Sequence, residues 1–300
     1  MENQTNDQRV RDVYQIVTNR VLELLEKGEV PWRKTWTNTG LPRNLATGKE
    51  YKGINLLLLT SLGYSLNYFL TFQQLRDMGG KLKEGEKSHI VVYWKWIETE
   101  KPDGGGKEVK PFLRYYRVYN INQTEGIPES RIPKITRPKN PIDECEYIIK
   151  TMPQCPEIIH RTEQPYYNPK DDFINMPLLE HFETSENYYE TLFHELVHST
   201  GHNSRLNRKE VMDNHAFGTE MYSIEELTAE MGACYLKSLT GIRESVSQNN
   251  MSYIQGWIKV LKKNRKFIVL ASSQAQKAVE FILKDELINE EKNSPEGLKA

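Results

Sequence analysis

Cysteine is scarce in this sequence, and the few cysteines present follow no recognisable spacing. Only three occur among 300 residues. Cys145, Cys155 and Cys234 are odd in number and match no CxxC pattern. A secreted disulfide framework would show an even set at regular intervals. We therefore expect three free thiols in a reducing cytoplasm.

Long apolar runs are missing as well. The longest candidate, NLLLLTSLGYSL, is shorter and more polar than the roughly 18 apolar residues that a membrane helix requires. The N-terminal MENQTNDQRVRDVYQIV lacks the apolar core of a secretory signal. With 38% hydrophobic and 27% charged residues, the composition is typical of a globular protein. We expect a cytoplasmic location and no membrane partner.

The small net charge conceals two halves of opposite sign. Residues 1–140 contain 23 Lys and Arg against 16 Asp and Glu, a net charge of +7. Residues 141–300 contain 17 against 25, a net charge of −8. Such an asymmetry suggests two modules with different partners, although a drift of surface charge would produce the same numbers.

The pattern of apolar residues predicts an α+β protein with two domains. In the first half, residues 9–27 carry a helical stripe, two short helices follow, and SHIVVYWKWIE and PFLRYYRVYNI have the composition of strands. Thr71 is expected to cap the second short helix, which would end at Gly79 and Gly80. Short strands and then four helices follow in the second half. The predicted division is residues 1–127, a proline-rich linker at 128–141, and residues 142–300.

The stretch LFHELVHSTGH contains an HExxH motif. On a helix, His194 and His198 lie one turn apart and present two imidazoles to the same ion. Glu195 lies one step round the helix, where it can act as the general base on a water at the metal. Ser185 is a candidate N-cap for this helix, and Gly201 stands where the helix would stop.

A catalytic zinc needs a third protein ligand, and the residues leave three candidates open. His202 lies close to the motif, but Gly201 makes a continuing helix doubtful. Glu226 and Glu230 lie four apart in the downstream run EELTAE, so that one could bind the metal while the other orients a ligating imidazole. Ser223 and Glu226 also form a possible capping box, which would occupy Glu226 at the start of the helix.

The combination of HELVHSTGHNSRLNR with YSIEELTAEMGACYL resembles the metallopeptidase-like domain of ArdC-type antirestriction proteins. PRNLATGKEYKGINLLLL and YFLTFQQLRDMGGKLKEGEKSHIVVYW resemble the N-terminal domain of that family, which also occurs in TraC-type plasmid primases. The resemblance implies a single-stranded DNA-binding domain followed by a zincin-like domain. It also favours Glu226 as the third ligand and Glu230 as the orienting carboxylate.

The basic first half interleaves cations with aromatic residues, as a sequence-tolerant single-strand binder requires. About half of these aromatics should belong to the core, and charged neighbours favour Trp32, Trp36, Tyr51 and Tyr115 as the exposed ones. The candidate DNA-binding residues are Trp32, Arg33, Lys34, Trp36, Arg43, Asn44, Tyr51, Lys52, Lys81, Lys83, Lys87, Arg114, Tyr115 and Arg117.

The sequence thus predicts an antirestriction protein of a mobile element. It would bind single-stranded DNA, carry Zn²⁺ or another divalent metal, and protect incoming DNA from host restriction, with a host restriction-related protein as a further partner. Two alternatives remain. One is a DNA-coating protein whose zinc is purely structural, and the other is a metallopeptidase with no role at DNA.

Overall fold

The structure is a computed structural model that describes residues 6–33, 40–100, 107–133, 140–213, 219–242 and 251–284. The chain forms two compact units. The first comprises residues 1–137 and 247–270, and the second comprises residues 138–246 and 271–300. The return of residues 247–270 to the first unit was not anticipated from the sequence, and the predicted linker boundaries stay a prediction. Among the described helices, none is long and apolar enough to cross a membrane.

The secondary structure confirms the predicted α+β class. The helices are α1 (Asn6–Glu26), α2 (Ile54–Thr60), α3 (Phe72–Asp77), α4 (Pro141–Thr151), α5 (Ser185–Ser199), α6 (Lys209–Met212), α7 (Glu220–Thr240), α8 (Met251–Lys263) and α9 (Phe267–Ile282). The strands are β1 (Arg43–Asn44), β2 (Tyr68–Leu70), β3 (Lys81–Leu82), β4 (His89–Glu100), β5 (Lys107–Asn120), β6 (Thr124–Glu125), β7 (Glu157–Ile159), β8 (Tyr166–Asn168) and β9 (Phe173–Asn175).

A long antiparallel ribbon of β4 and β5 dominates the first unit. It belongs to a sheet with the order β1-β2-β5-β4, in which β1 pairs in parallel with β2 and the other pairs are antiparallel. Leu59, Phe69, Val91 and Val118 form a buried cluster at the base of the ribbon. The side chain of Asn55 bonds both the N–H and the carbonyl of Val92, so α2 is fixed to β4. The base of the ribbon is therefore part of the core.

The predicted start and end of α3 are confirmed. The Thr71 hydroxyl accepts from the backbone N–H of Gln74, and the Gln74 side chain accepts from the backbone N–H of Thr71, which completes a capping box. Beyond the helix, Gly79 has a φ of +78°, a value that favours glycine. Local sequence signals were sufficient to predict this element because both of its ends are satisfied by neighbouring residues.

Two helix starts differ from the sequence prediction. Thr184 rather than Ser185 caps α5, accepting from the N–H of Asn187. Thr219 caps α7, and the hydroxyl of Ser223 donates to the carbonyl of Thr219. The alternative in which Ser223 and Glu226 form a capping box is therefore wrong. Glu226 lies inside the helix, and its side chain is available for another role.

In the second unit, α5 and α7 pack tightly against each other beside a three-stranded sheet of order β7-β9-β8. Gly232 of α7 lies directly against Val197 of α5. A Cβ added at Gly232 would meet Val197 Cγ2 at 2.6 Å and Cγ1 at 2.9 Å. Because such distances are too short for carbon atoms, glycine at this position allows the close approach of the two helices.

We predict that Gly232→Ala destabilises the protein by about 1–3 kcal/mol, because the new methyl group must displace Val197 in a packed core. The free energy of unfolding from urea titration provides the measurement. Gly256→Ala is the matched control, since Gly256 lies in α8 with nothing within 4 Å of an added Cβ. There, the loss of a helical glycine should stabilise by about 0.5–1 kcal/mol. Equal effects of the two substitutions would contradict close packing at Gly232.

Candidate functional site

The HExxH motif lies on α5 as the sequence predicts. His194 and His198 are one helical turn apart, with their Nε2 atoms 3.1 Å from each other. The imidazole rings meet edge to face, with centroids 4.7 Å apart and an interplanar angle of 81°. Both rings thus direct a nitrogen toward the same point, which suits a pair of ligands to one ion.

Glu226 of α7 brings a carboxylate to the same point. Its Oε2 lies 3.7 Å from His194 Nε2, and its Oε1 lies 3.6 Å from His198 Nε2. One ligand atom from each of the three residues lies within 4.8 Å of the others. A tetrahedral ion with bonds of about 2.0–2.2 Å holds its ligands roughly 3.4 Å apart. The distances in the structure therefore fit a His₂Glu metal site, and we call these three residues the metal triad.

His202 lies outside the metal triad. The helix ends at Ser199, and the chain beyond it turns, so that His202 Nδ1 lies 2.8 Å from the hydroxyl oxygen of Ser204. His202 also lies 3.8 Å from the carboxylate of Asp172. Of the candidates for a third ligand, the structure brings Glu226 to the two histidines.

Glu225 is the carboxylate that contacts the imidazole of His198. Glu225 Oε1 lies 3.0 Å from His198 Nδ1, and Arg208 holds this carboxylate through contacts of 2.7 and 2.9 Å. The orienting role expected for Glu230 therefore belongs to Glu225 in this structure. The EELTAE run gave no means of telling these carboxylates apart, because the position of Arg208 depends on the tertiary fold.

Arg208 fixes more than the carboxylate. Its guanidinium donates to the hydroxyl of Thr200 at 2.6 Å and to the carbonyl of Val197 at 2.8 Å. These bonds satisfy the C-terminal end of α5 and join it to α7 through Glu225. A buried arginine with this many partners holds the His198 side of the site rigid.

The acidic surroundings change the pKa values of the site. Burial alone would lower the pKa of His198, but the bond to Glu225 and the charges of Glu225, Glu226 and Glu195 outweigh it and raise the pKa to about 9. Burial, the charge of Glu226 and a hydrogen bond to Glu226 raise the pKa of Tyr222 to about 12. The site thus concentrates negative charge, which favours a bound cation.

The metal triad opens into a cleft. This cleft has a volume of about 400 Å³. Glu195 lines it together with the triad, although its side chain is largely buried. The cleft is also lined by Tyr166 and Tyr167 of β8, by the adjoining Pro165 and Pro169, and by Glu210, Val211 and Tyr222. A catalytic metal site needs access of this kind, whereas a purely structural site is usually closed.

Trp32, predicted to be an exposed DNA-binding residue, is buried. It is only 1% exposed, packs edge to face on Trp257 and donates its indole N–H to the Tyr253 hydroxyl at 3.1 Å. Its partners come from α8, more than 200 residues later, so no local pattern could reveal this burial. Tyr51 is only partly exposed and packs on Phe69 in the core cluster. The expectation of exposure is therefore wrong for Trp32.

Most of the predicted cations are exposed in the first unit, and Tyr115 is 43% exposed. Some have local partners: Arg43 pairs with Glu50, and Lys81 pairs with Glu125 at 3.0 Å. The exposed cations are Arg43, Lys52, Lys81, Lys83, Lys87, Arg114 and Arg117, and Arg33 is half-buried. Lys34 and Trp36 lie outside the described residues.

Asn44 has a structural role. Its Oδ1 accepts from the backbone N–H groups of Ala46 and Thr47, and its Nδ2 donates to Gln74 at 3.0 Å. These bonds fix a turn next to β1 and use both ends of the amide group. Asn44 therefore shapes the surface that was predicted to bind DNA, and the sequence fragment PRN gave no sign of this role.

Two models of protein families match this chain. The zincin-like metallopeptidase model matches residues 145–274, and the model of the N-terminal domain of anti-restriction factor ArdC matches residues 11–119. The two DNA primases TraC of Escherichia coli are 33% and 32% identical to the chain over 291 and 289 residues. The chain spans only 20% and 26% of the length of these relatives.

Solved structures give a match over nearly the whole length. The metal-free crystal structure of antirestriction ArdC protein from plasmid R388 has a TM-score of 0.74 and 33% identity, covering 93% of this chain and 98% of that one. Its Mn(II)-bound structure has a TM-score of 0.71 and covers 90% and 97%. With both family models, the whole-length similarity leads to one conclusion: this chain belongs to the ArdC antirestriction family and carries a zincin-like metallopeptidase domain.

Proposed function

We propose that this chain is an antirestriction protein that binds single-stranded DNA through its first unit and a divalent metal through the metal triad. It would act in the cytoplasm and protect the incoming DNA of a mobile element from host restriction. The observation that carries the proposal is the convergence of His194, His198 and Glu226 in an open cleft beside Glu195. Family membership supplies the biological setting, and the residues of the site supply the chemistry.

The choice of metal follows from the ligands. Two imidazoles and one carboxylate suit Zn²⁺, and the same set accepts other divalent ions. The Mn(II)-bound structure of the R388 protein supports a divalent ion in the family. Glu225 accepts the Nδ1 hydrogen of His198, so Nε2 is the nitrogen that faces Glu226 and would bind the ion on losing its proton. We propose zinc as the ion, with manganese as the competing occupant.

The residues of the cleft suggest a peptide hydrolase. A bound divalent ion supplies Lewis-acid polarisation of a carbonyl and lowers the pKa of a water. Glu195 would take the proton from that water at its carboxylate and deliver it to the leaving amine. Tyr222 donates its phenolic hydrogen to Glu226 and so steadies that carboxylate. The cleft beside β8 provides space for an extended segment of a host restriction-related protein.

The first unit offers what a sequence-tolerant DNA binder needs. Exposed cations supply contacts to phosphates, and exposed tyrosines of the β4–β5 ribbon supply flat surfaces for bases. The basic charge of residues 1–140 would attract a polyanion over a distance of about one Debye length. These features support single-stranded DNA as the partner of this unit.

Glu226→Gln tests the metal site. We expect the metal affinity to fall at least about 10- to 100-fold, because a neutral amide replaces the anionic ligand. Isothermal titration with Zn²⁺ and with Mn²⁺, together with the metal content after dialysis, provides the measurement. Glu220→Gln makes the same change on the same helix at an exposed position and should leave the affinity unchanged. Full metal binding by Glu226→Gln would exclude Glu226 as a ligand.

Glu195→Gln tests the catalytic role of Glu195 separately from metal binding. We expect the metal content to stay at the wild-type level, whereas protection of incoming DNA is lost, because the loss of a general base slows hydrolysis by about 10²- to 10⁴-fold. The readout is the efficiency of plasmid transfer into restricting and non-restricting recipient cells, measured beside the metal content. If Glu195→Gln protects incoming DNA as well as the wild type does, the metal is structural and proteolysis is not the mechanism.

The combined substitution of Arg114 and Arg117 by Ala tests the DNA interaction. If both residues contact phosphates, the slope of log K against log salt for single-stranded DNA should decrease by roughly 0.7 per lost contact. Fluorescence anisotropy over a range of salt concentrations provides the measurement. Lys150→Ala with Lys170→Ala removes two exposed charges from the second unit and serves as the control. An unchanged slope in the arginine variant would rule out phosphate contacts by these residues.

A further inference from the structure

Three tyrosine side chains of the β4–β5 ribbon are exposed to solvent. Tyr93 is 47% exposed, Tyr116 is 46% exposed and Tyr115 is 43% exposed. At neighbouring positions of the same ribbon, Val91 and Val118 are buried, with only 7% and 1% of their surface exposed. The tyrosines thus stay exposed beside a packed core, and packing of the core does not account for their position.

The strand register determines which of these side chains share a face. Tyr93 pairs with Arg114, and Val91 pairs with Tyr116. Because paired residues of antiparallel strands point to the same side, Tyr93, Arg114 and Tyr116 lie on one face. Tyr115 and Arg117 lie on the other face of the ribbon. The register therefore places two exposed tyrosines and an arginine on one face of the ribbon.

The two tyrosines on the first face contact each other. Their ring centroids are 6.1 Å apart, with an interplanar angle of 74°. This edge-to-face contact limits the rotation of both rings, although each side chain stays nearly half exposed. A pair of aromatic rings held in place beside an arginine is well suited to take up flat ligands, since little side-chain entropy remains to be lost on binding.

We propose that Tyr93, Tyr116 and Arg114 form a platform on which unpaired bases of single-stranded DNA stack, with Arg114 contacting a neighbouring phosphate. This inference rests on the proposed function, because it assigns the position of the bases in the DNA-binding unit. Stacking is tolerant of sequence, since every base has a flat face. The platform therefore explains how this unit could take any entering strand.

The charge of the ribbon favours a nucleic acid over a protein partner. Strands β4 and β5 together carry five lysine and arginine residues against three glutamates in their sequences HIVVYWKWIETE and KEVKPFLRYYRVYN. Arg114 and Arg117 are both exposed beside the tyrosines. Aromatic rings interleaved with arginines provide stacking surfaces and phosphate contacts at neighbouring positions. An apolar protein-docking face would not require this excess of cations.

Leucine substitutions in the full chain test the platform. Binding of a labelled oligothymidylate is measured by fluorescence anisotropy for Tyr93→Leu, Tyr116→Leu and the control Tyr147→Leu. We expect each platform variant to lose about 5- to 150-fold in affinity, as the loss of one stacked base implies. Tyr147→Leu removes an exposed tyrosine from α4 of the second unit and should bind as the wild type does. Tyr93→Phe should also retain binding, because stacking requires the ring and not the hydroxyl.

The salt dependence distinguishes lost stacking from a damaged unit. Tyr93→Leu should lower the affinity at every salt concentration and leave the slope of log K against log salt unchanged, because no phosphate contact is removed. If the wild type binds and the platform variants bind equally well, the platform is wrong and the DNA-binding function stands. If Tyr147→Leu loses as much affinity as Tyr93→Leu, the loss does not arise at the ribbon and the platform is wrong.

Two further outcomes would also overturn the platform. A wild type that fails to bind the oligonucleotide at low salt contradicts the proposed DNA function itself, and the platform with it. If the platform variants keep their DNA affinity but lose protection of incoming DNA in cells, the face docks a protein instead. The anisotropy of the wild type separates the first of these results from the second.

Discussion

The contact between Val197 and Gly232 sets the distance between α5 and α7, and the arrangement of the metal triad depends on that distance. His194 and His198 come from one helix and Glu226 from the other. An added Cβ at Gly232 would lie 2.6 Å from Val197 Cγ2. Any residue other than glycine at this position would therefore force the two helix backbones apart. A wider spacing would leave two histidines without their carboxylate.

The buried ion pair of Arg208 and Glu225 is a second link between α5 and α7. Taking both charges out of water is costly, and attraction alone does not ensure a net gain in stability. The pair is nevertheless hydrogen-bonded at both ends, to His198 on one side and to Thr200 and Val197 on the other. We infer that its value lies in orientation: it holds the imidazole of His198 in one direction, with Nδ1 donating to Glu225 and Nε2 facing the triad.

Features that depend on neighbouring residues could be predicted from the sequence. The HExxH motif and the Thr71 capping box are patterns of a few neighbouring residues. The two long strands follow from the composition and alternation of a short stretch. Features that depend on distant residues could not. The orienting role of Glu225 requires Arg208, and the burial of Trp32 requires Tyr253 and Trp257. The start of α7 was only partly predictable. Thr219 and Ser223 both offer a hydroxyl that could cap the helix, and only the folded chain shows which one does.

Electrostatic interactions act in opposite regimes in the two units. Arg208 and Glu225 are both buried, so salt in the solvent screens their attraction only weakly. Arg114 and Arg117 are exposed, and their attraction for phosphates falls within about one Debye length, roughly 8 Å at physiological ionic strength. If the first unit binds DNA as proposed, a higher ionic strength should weaken that binding and leave the orientation of His198 unaffected. The proposed DNA contact and the proposed metal site would then respond differently to salt, because the charges of the first are exposed and those of the second are buried.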